Sequence, residues 1–383
     1  IQSILIEKNS LLIKSILKFN SIFNPNIMKR LLLSLVILTY FISTYSADPW
    51  TGKECIVRSE FIWKTGDITA PSCHASTIAS TGEGLVAAWF AGSQEGDKDV
   101  GIWVSRNING KWTTPVEVAN GILNKLMRHP CWNPVLYNTG EKLLLFYKVG
   151  PSPSAWWGML KTSGDNGKTW SEGTRLPKNI LGPVKNKPVL LENGELICPS
   201  STENDGWRVH MEFTSDNGTT WERTAALNDK SVGAIQPAVL THKGGKIQML
   251  CRSTTGKILT AESIDNGYSW SELAETSLPN PNSGIDAITL KDGRQLVVYN
   301  HLSMGRNMLN IAVSDNGTEW KAAAVLENEM GGTEFSYPAV IQTDDNMIHI
   351  TYTWKRMLIK HVIVDPSLIT ARMFENGSWP VNR

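Results

Sequence analysis

The stretch KTSGDNGKTWSE, residues 161–172, sets Ser163, Asp165, Gly167, Thr169 and Trp170 within eight positions, a spacing that serves neither a helix nor a strand. It recurs. TSDNGTTW (214–221) and SIDNGYSW (263–270) keep Ser/Thr-x-Asp-x-Gly-x-x-Trp in full, and VSDNGTEW (313–320) loses only the first hydroxyl. SRNINGKW (105–112) and FENGSW (374–379) are worn copies. The closing tryptophans, Trp112, Trp170, Trp221, Trp270, Trp320 and Trp379, follow one another at intervals of 49 to 59 residues. Near-equal spacing on that scale marks an array of like units.

Each interval contains an apolar run, a Gly/Asp/Asn turn and a second apolar run, as in CWNPVLYNTGEKLLLFYK, AIQPAVLTHKGGKIQMLCR and FSYPAVIQTDDNMIHITYT. These read as hairpins of short strands, followed by a third strand, the Asp-containing turn and a short return. Four strands per unit and six units predict an all-β, six-bladed propeller over residues 47–383, closed so that only short edges remain. In that scheme the repeated turn is scaffold. Its Asp accepts backbone N–H bonds, its Gly adopts positive φ and its Trp packs between sheets.

The remaining composition narrows the function classes. Of 383 residues, 19% are charged and the formal net charge is +1, with no basic run, so nucleic acid is not an expected partner. Neither His nor carboxylates recur at metal-ligand spacing, and no cofactor is expected. Fifteen tryptophans fit a structural repeat or a sugar-stacking surface. Residues 1–27 read as a disordered leader or gene-model extension. MKRLLLSLVILTYFISTYS (28–46) reads as a signal peptide, with Lys29 and Arg30 before an apolar run and small residues at the cleavage positions. The expected location is secreted, extracellular or in a lysosomal-type compartment, with no membrane span after Ala47. Five cysteines allow one disulfide and leave at least one thiol, and Asn217, Asn316 and Asn376 head Asn-x-Ser/Thr acceptor sites.

Chain direction identifies the working face. If the Asp turns join third to fourth strands on one face, the opposite face gathers the residues that open first strands and close second strands. The openers are His74, Asn133, Lys187, Gln236, Asp286 and Tyr337, and the closers include Trp89, Lys148, Arg252 and Asn300. Loops over that face carry Glu95, Asp97 and Asp99; Arg128, His129 and Trp132; Trp156 and Trp157; Glu203, Arg208 and His210; and His301 and Arg306. Guanidinium forks grip carboxylates and aromatic faces stack on sugar rings, so this collection points to an acidic glycan.

From about residue 55 to 383 the chain resembles the sialidase superfamily of Asp-box propellers. Carried over residue by residue, the resemblance implies that Arg252 and Arg306 are the second and third arginines of a carboxylate clamp. His74, in Cys73-His74-Ala75-Ser76, stands where the first would be. It implies that Asp97 in GDKDVGIWVSR is the general acid and Tyr337 in FSYPAVIQ the nucleophile, with Gln236 in place of the glutamate that activates it. A phenol ordinarily titrates near 10, and a Gln cannot take its proton. Either Glu203, Asp286 or Glu334 substitutes, or Arg252 and Arg306 act on the phenol directly. A His in the first position suits acid–base work near neutral pH. The expected catalytic set is therefore Asp97, Tyr337 and His74. The expected binding set is Arg252, Arg306, Gln236, Lys187, Lys148, His129, Asn133, Glu203 and Trp157. The leading function is exo-hydrolysis of a terminal acidic sugar such as sialic acid. The alternatives are a lyase acting on uronate-containing glycans and a non-catalytic glycan-binding propeller. The sequence leaves the oligomeric state open.

Overall fold

A computed structural model describes residues 49–329 and 331–382, so the leader and signal segments expected over 1–46 lie outside the described residues. Trp50–Pro380 form one compact unit; of a second unit Pro49, Val381 and Asn382 are described, and Pro49 and Val381 pair in a single bridge. Within the larger unit, six antiparallel sheets follow one another as the blades of a propeller. Blade one comprises Ser72–Thr81, Gly84–Gly92, Gly101–Ile108 and Lys111–Trp112, with Val116–Ala119 also paired to the third strand. Blade two comprises Cys131–Asn138, Leu143–Val149, Trp157–Ser163 and Thr174–Arg175, and blade three Val189–Leu190, Leu196–Thr202, Arg208–Thr214 and Glu222–Arg223. Blade four runs through Ala234–Thr241, Ile247–Ser253, Lys257–Ser263 and Ala274–Pro279. Blade five has Asp286–Thr289, Gln295–Tyr299, Met308–Ser314 and Trp320–Asn328, with Arg372–Met373 added outside. Blade six takes Phe335–Gln342, Ile348–Trp354 and Leu358–Val364 from the end of the chain. Its fourth strand, Ile56–Phe61, comes from the beginning, with Phe61 opposite Lys360.

The Asp boxes hold the blades to one another. In the first intact copy, Asp165 Oδ1 accepts from Ser163 Oγ at 2.8 Å and from Thr169 N at 2.9 Å, while Gly167 N donates to Ser163 Oγ at 2.8 Å. Each box then presses on the preceding blade. Trp221 of blade three meets Phe146 of blade two edge-on, with ring centroids 6.0 Å apart. Gly267 has φ 89°, and a Cβ there would lie 2.5 Å from Cδ1 of Ile197 on blade three. Glycine is required twice over, by backbone angle and by approach.

Two copies depart from the sequence reading. VSDNGTEW keeps its hydroxyl after all, because the box is one residue shorter. Ser314 Oγ takes Gly317 N, and Asn316 Oδ1 accepts from Thr318 N and Glu319 N, while Asp315 turns out to Lys321. FENGSW is not a blade-six turn. It is a tight reversal with Asn376 and Gly377 at positive φ, and its Gly377 carbonyl lies 3.0 Å from His301 Nε2 on blade five.

The aspartates of the three intact boxes, Asp165, Asp216 and Asp265, are all lowered. Hydrogen bonds from the Ser269 hydroxyl and N–H hold the Asp265 carboxyl down to about 2, and Asp165 is lowered by the equivalent bonds from Thr169. A carboxyl depressed on folding contributes stability that is present above its unfolded value near 4 and is lost as pH falls through the folded one. Between pH 4 and 2 the melting temperature of the parent should therefore fall more steeply than that of a D165N/D265N variant, as followed by circular dichroism.

The one disulfide that five cysteines would allow is not formed. Cys55, Cys73, Cys131, Cys198 and Cys251 are all free and buried. Four of them lie in or at the edge of different blades, one through four, which keeps their sulfurs apart. Lys148 also departs from expectation. It is fully buried, and its ammonium donates to the Pro183 carbonyl at 2.7 Å, so it joins blade two to the approach of blade three and faces no ligand. Beside it the buried Glu212 carboxylate accepts from Leu181 N at 3.0 Å, Gly182 N at 2.6 Å and His210 Nε2 at 2.9 Å. Glu212→Ala would leave these donors and a buried ammonium uncompensated. Urea unfolding should show a loss of about 3–5 kcal/mol.

Candidate active site

The site begins with a backbone irregularity. Four first strands slip register near their start, at His74/Thr77, opposite Phe146/Lys148, at Ile235/Ala238 and at Ser336/Ala339. At each slip one non-glycine residue is left-handed: Ala75 (φ 54°), Asn133 (24°), Gln236 (56°) and Tyr337 (51°). Such bulges cost about 1–3 kcal/mol each and re-aim a side chain. In three of the four the next residue is Pro134, Pro237 or Pro338, which has no N–H to lose from the ladder.

The bulge in blade six delivers Tyr337. Its phenol oxygen accepts from Arg252 Nη1 at 2.6 Å, and the Gln236 amide nitrogen lies 3.5 Å away. Arg252 is fixed from the other side, with Nε on Asn282 Oδ1 at 2.9 Å, a further bond to the Asn282 carbonyl and Nη1 on Gln236 Oε1 at 3.3 Å. Its guanidinium carbon stands 5.3 Å from the Trp207 ring and 5.6 Å from the Tyr337 ring. Arg306 reaches the same ring at 5.8 Å while holding Glu334 at 3.1 Å and the Asn282 carbonyl at 3.3 Å. Gly284 backs the ring, where a Cβ would come within 3.1 Å of Cδ2.

His74 packs on the phenol with ring centroids 4.1 Å apart, and its Nδ1 lies 2.9 Å from the Thr353 hydroxyl. Burial first, then the charges of Arg356, Arg306, Arg252 and Lys185, push its pKa well below the ordinary value. The imidazole is neutral near pH 7. The histidine expected to titrate near neutral pH is thus kept in its neutral form against the Tyr337 ring, first by burial and then by the surrounding cations.

Two cations escaped the sequence reading. Arg356, in the turn between the second and third strands of blade six, binds Glu334 Oε2 at 3.0 Å and Glu95 Oε2 at 2.5 Å. Burial of Glu334 would raise its carboxyl, but Arg356, Ser336 and Arg306 hold it below the usual range. The rule that named Arg306 applies equally to LIK-flanked Lys355-Arg356, since both lie in loops after second strands. Lys185 is the other. Blade three has a first strand of only two residues, and Lys185 and Asn186 before it bond to the starts of blades four, five and six at Gln236, Ile285 and Pro338. Lys185 Nζ donates to Ile285 O at 2.7 Å, to Asn186 Oδ1 at 2.9 Å and to Pro338 O, and it lies 5.8 Å from the Tyr337 ring. Burial pulls its ammonium down to about 7. Its spacing of two from Lys187, on one side of an extended segment, was the available signal.

The remaining candidates sit around this cluster. Lys187 is committed to both oxygens of Asp286 at 3.0 Å. Asn133 is buried in its bulge. Asp97 is exposed in the loop that also carries Glu95, and a Cβ on its neighbour Gly96 would lie 3.5 Å from Trp132. His129 is half-buried with its edge on Trp157, centroids 5.7 Å apart, and the other partner of Trp157 is Arg175 at 4.6 Å. Glu203 is half-buried. Burial raises its carboxyl, and the Arg252 charge and a Trp207 hydrogen bond offset this only in part.

Repeated Asp boxes, six blades and a phenol among guanidinium groups define a propeller of the sialidase class. Residues 83–350 match the model of the BNR repeat-like domain, and the chain belongs to that family. No curated protein sequence matches it. A Hadza microbial sialidase superposes with TM-score 0.69 at 17% identity, covering 82% of this chain and 69% of that one. A protein of unknown function from Dyadobacter fermentans DSM 18053 gives 0.67 at 16% identity, covering 81% and 98%. The leech intramolecular trans-sialidase gives 0.63 at 12%, covering 82% and 71%. At these identities the likeness is one of fold.

Proposed function

We propose that the chain is a secreted sialidase-type glycoside hydrolase that removes a terminal acidic sugar, such as sialic acid, from glycans. The observation that carries this reading is the 2.6 Å contact between Arg252 and the Tyr337 oxygen, with Arg306 beside the same ring. Arg252 and Arg306 bind the substrate carboxylate, and Arg356 adds a third positive charge on the His74 side. Tyr337 attacks the anomeric carbon. Gln236 offers its amide but takes no proton, so the phenol O–H bond breaks to solvent water as the oxygen–carbon bond forms, and the guanidinium of Arg252 stabilises the negative charge that develops on the oxygen. Asp97 donates a proton to the leaving oxygen. Its exposed loop is held to the site through Glu95 and Arg356. Water then releases the sugar from Tyr337 and restores the phenol.

Gln236 also favours a second reading, elimination on a uronate, because that chemistry has no need of a glutamate beside the tyrosine. Incubation with sialosides, uronides and uronate polymers, followed by product mass, separates the two. Hydrolysis adds one water per cleavage, whereas elimination adds none and gives an unsaturated product absorbing in the ultraviolet. Tight binding of an acidic glycan without any product would overturn both.

A further inference from the structure

We infer that the groove between blades two and three binds the inner part of an acidic oligosaccharide and selects chains carrying a second anionic group. The groove encloses about 640 Å³ and is lined by Trp156, Arg175, Lys178, Glu203 and Arg223 among others. Three of these are cations and one is a carboxylate. The inference rests on the hydrolase reading for which end of the glycan occupies the ring centre, but not for the groove itself.

Three observations point to a sugar chain. The groove adjoins the site around Tyr337 at Glu203. Glu203 forms part of its wall and bonds Trp207, whose ring lies against Arg252. On the other side Trp156 lines the groove and rests on buried Trp132, from which Phe90 and His74 continue beneath the surface to Tyr337, with successive centroids 6.1, 6.3, 5.6 and 4.1 Å apart. A glycan held by its end at Tyr337 therefore leaves the site beside the Glu203 wall of the groove. Second, the cations are arranged for a ligand at the surface. Arg175 is exposed and stacked on Trp157, which braces its guanidinium, and Arg223 is exposed with Nη1 on the Asn179 carbonyl at 2.7 Å. Neither forms an ion pair with an acidic side chain among the described residues. Third, Trp156 is half-buried and edge-on to Trp132, so it offers an aromatic platform of the sort that stacks on a pyranose face. Carboxylate or sulfate on a sugar two or three units inward would meet the guanidinium forks.

The test uses the whole protein and chondroitin sulfate tetrasaccharide, with its desulfated form and a tetraglutamate peptide as comparisons, in calorimetric titrations. The sulfated tetrasaccharide should bind, and R175A/R223A should weaken it by roughly tenfold or more, since charge-assisted bonds are lost. Both side chains are exposed, so the thermal midpoint should stay close to the parent. Trp156→Ala should weaken the desulfated form as well. Equal affinity in parent and double variant, or tetraglutamate binding as tightly as the sulfated sugar, would overturn the groove as a glycan site. Failure of the hydrolase reading has a separate signature. No sialoside is then cleaved, while tetrasaccharide binding still depends on Arg175 and Arg223.

Discussion

Tyr337→Phe should lower kcat on 4-methylumbelliferyl sialoside by about 10⁴-fold, as expected when a covalent nucleophile is removed from a set of residues that act together. The variant keeps the ring, so its packing on His74 and against Gly284 is retained. Only the hydroxyl goes, and Arg252 Nη1 keeps Gln236 Oε1 as an acceptor. The melting midpoint should stay within about 3 °C of the parent. Full turnover in this variant would remove Tyr337 from the chemistry while leaving the propeller intact.

Arg252→Ala should reduce kcat/KM by about 10³-fold or more, because charge-assisted hydrogen bonds contribute about 1.5–3 kcal/mol each and several are lost together. The side chain is only 5% exposed, and its removal also strands the Asn282 side chain and the phenol oxygen. Arg252→Lys should rescue little of this. An ammonium is a point charge and cannot span Asn282, Gln236 and Tyr337 at once. Steady-state kinetics on the same sialoside decide the matter, and recovery by lysine to near-parent values would mean that charge alone is needed there.

The ring was legible in the sequence because its units are local. A hydroxyl, an Asp and a Gly close one turn through bonds within seven residues, and a Trp follows at the eighth, so the spacing survives to be counted. Chain direction then gives the face on which Arg252, Gln236 and Tyr337 meet, and the structure brings those three together. What stayed hidden depends on partners distant in sequence. Ile56–Phe61 alternates weakly and carries no mark of its pairing with Leu358–Val364. In the copy over 313–320 the box is one residue shorter and Asn316 takes the role of the Asp, although the sequence there departs from the motif only at its first letter. Lys148 looked like a rim cation because its strand end points the right way, and only the fold reveals the Pro183 carbonyl above it. His74 looked titratable near neutral pH, and only the fold reveals its burial and the four cations around it.

Blade six borrows its outer strand from residues some three hundred positions earlier. The ring is thereby fastened as a clasp, and its last join must wait until almost the whole chain has been made. Bringing such distant segments together is entropically slow, although the added cost grows only with the logarithm of the separation. A truncation before Leu358 would therefore unseat both ends of the molecule at once, whereas a nick in the connection between Phe61 and Ser72 should leave the severed strand zipped in its place.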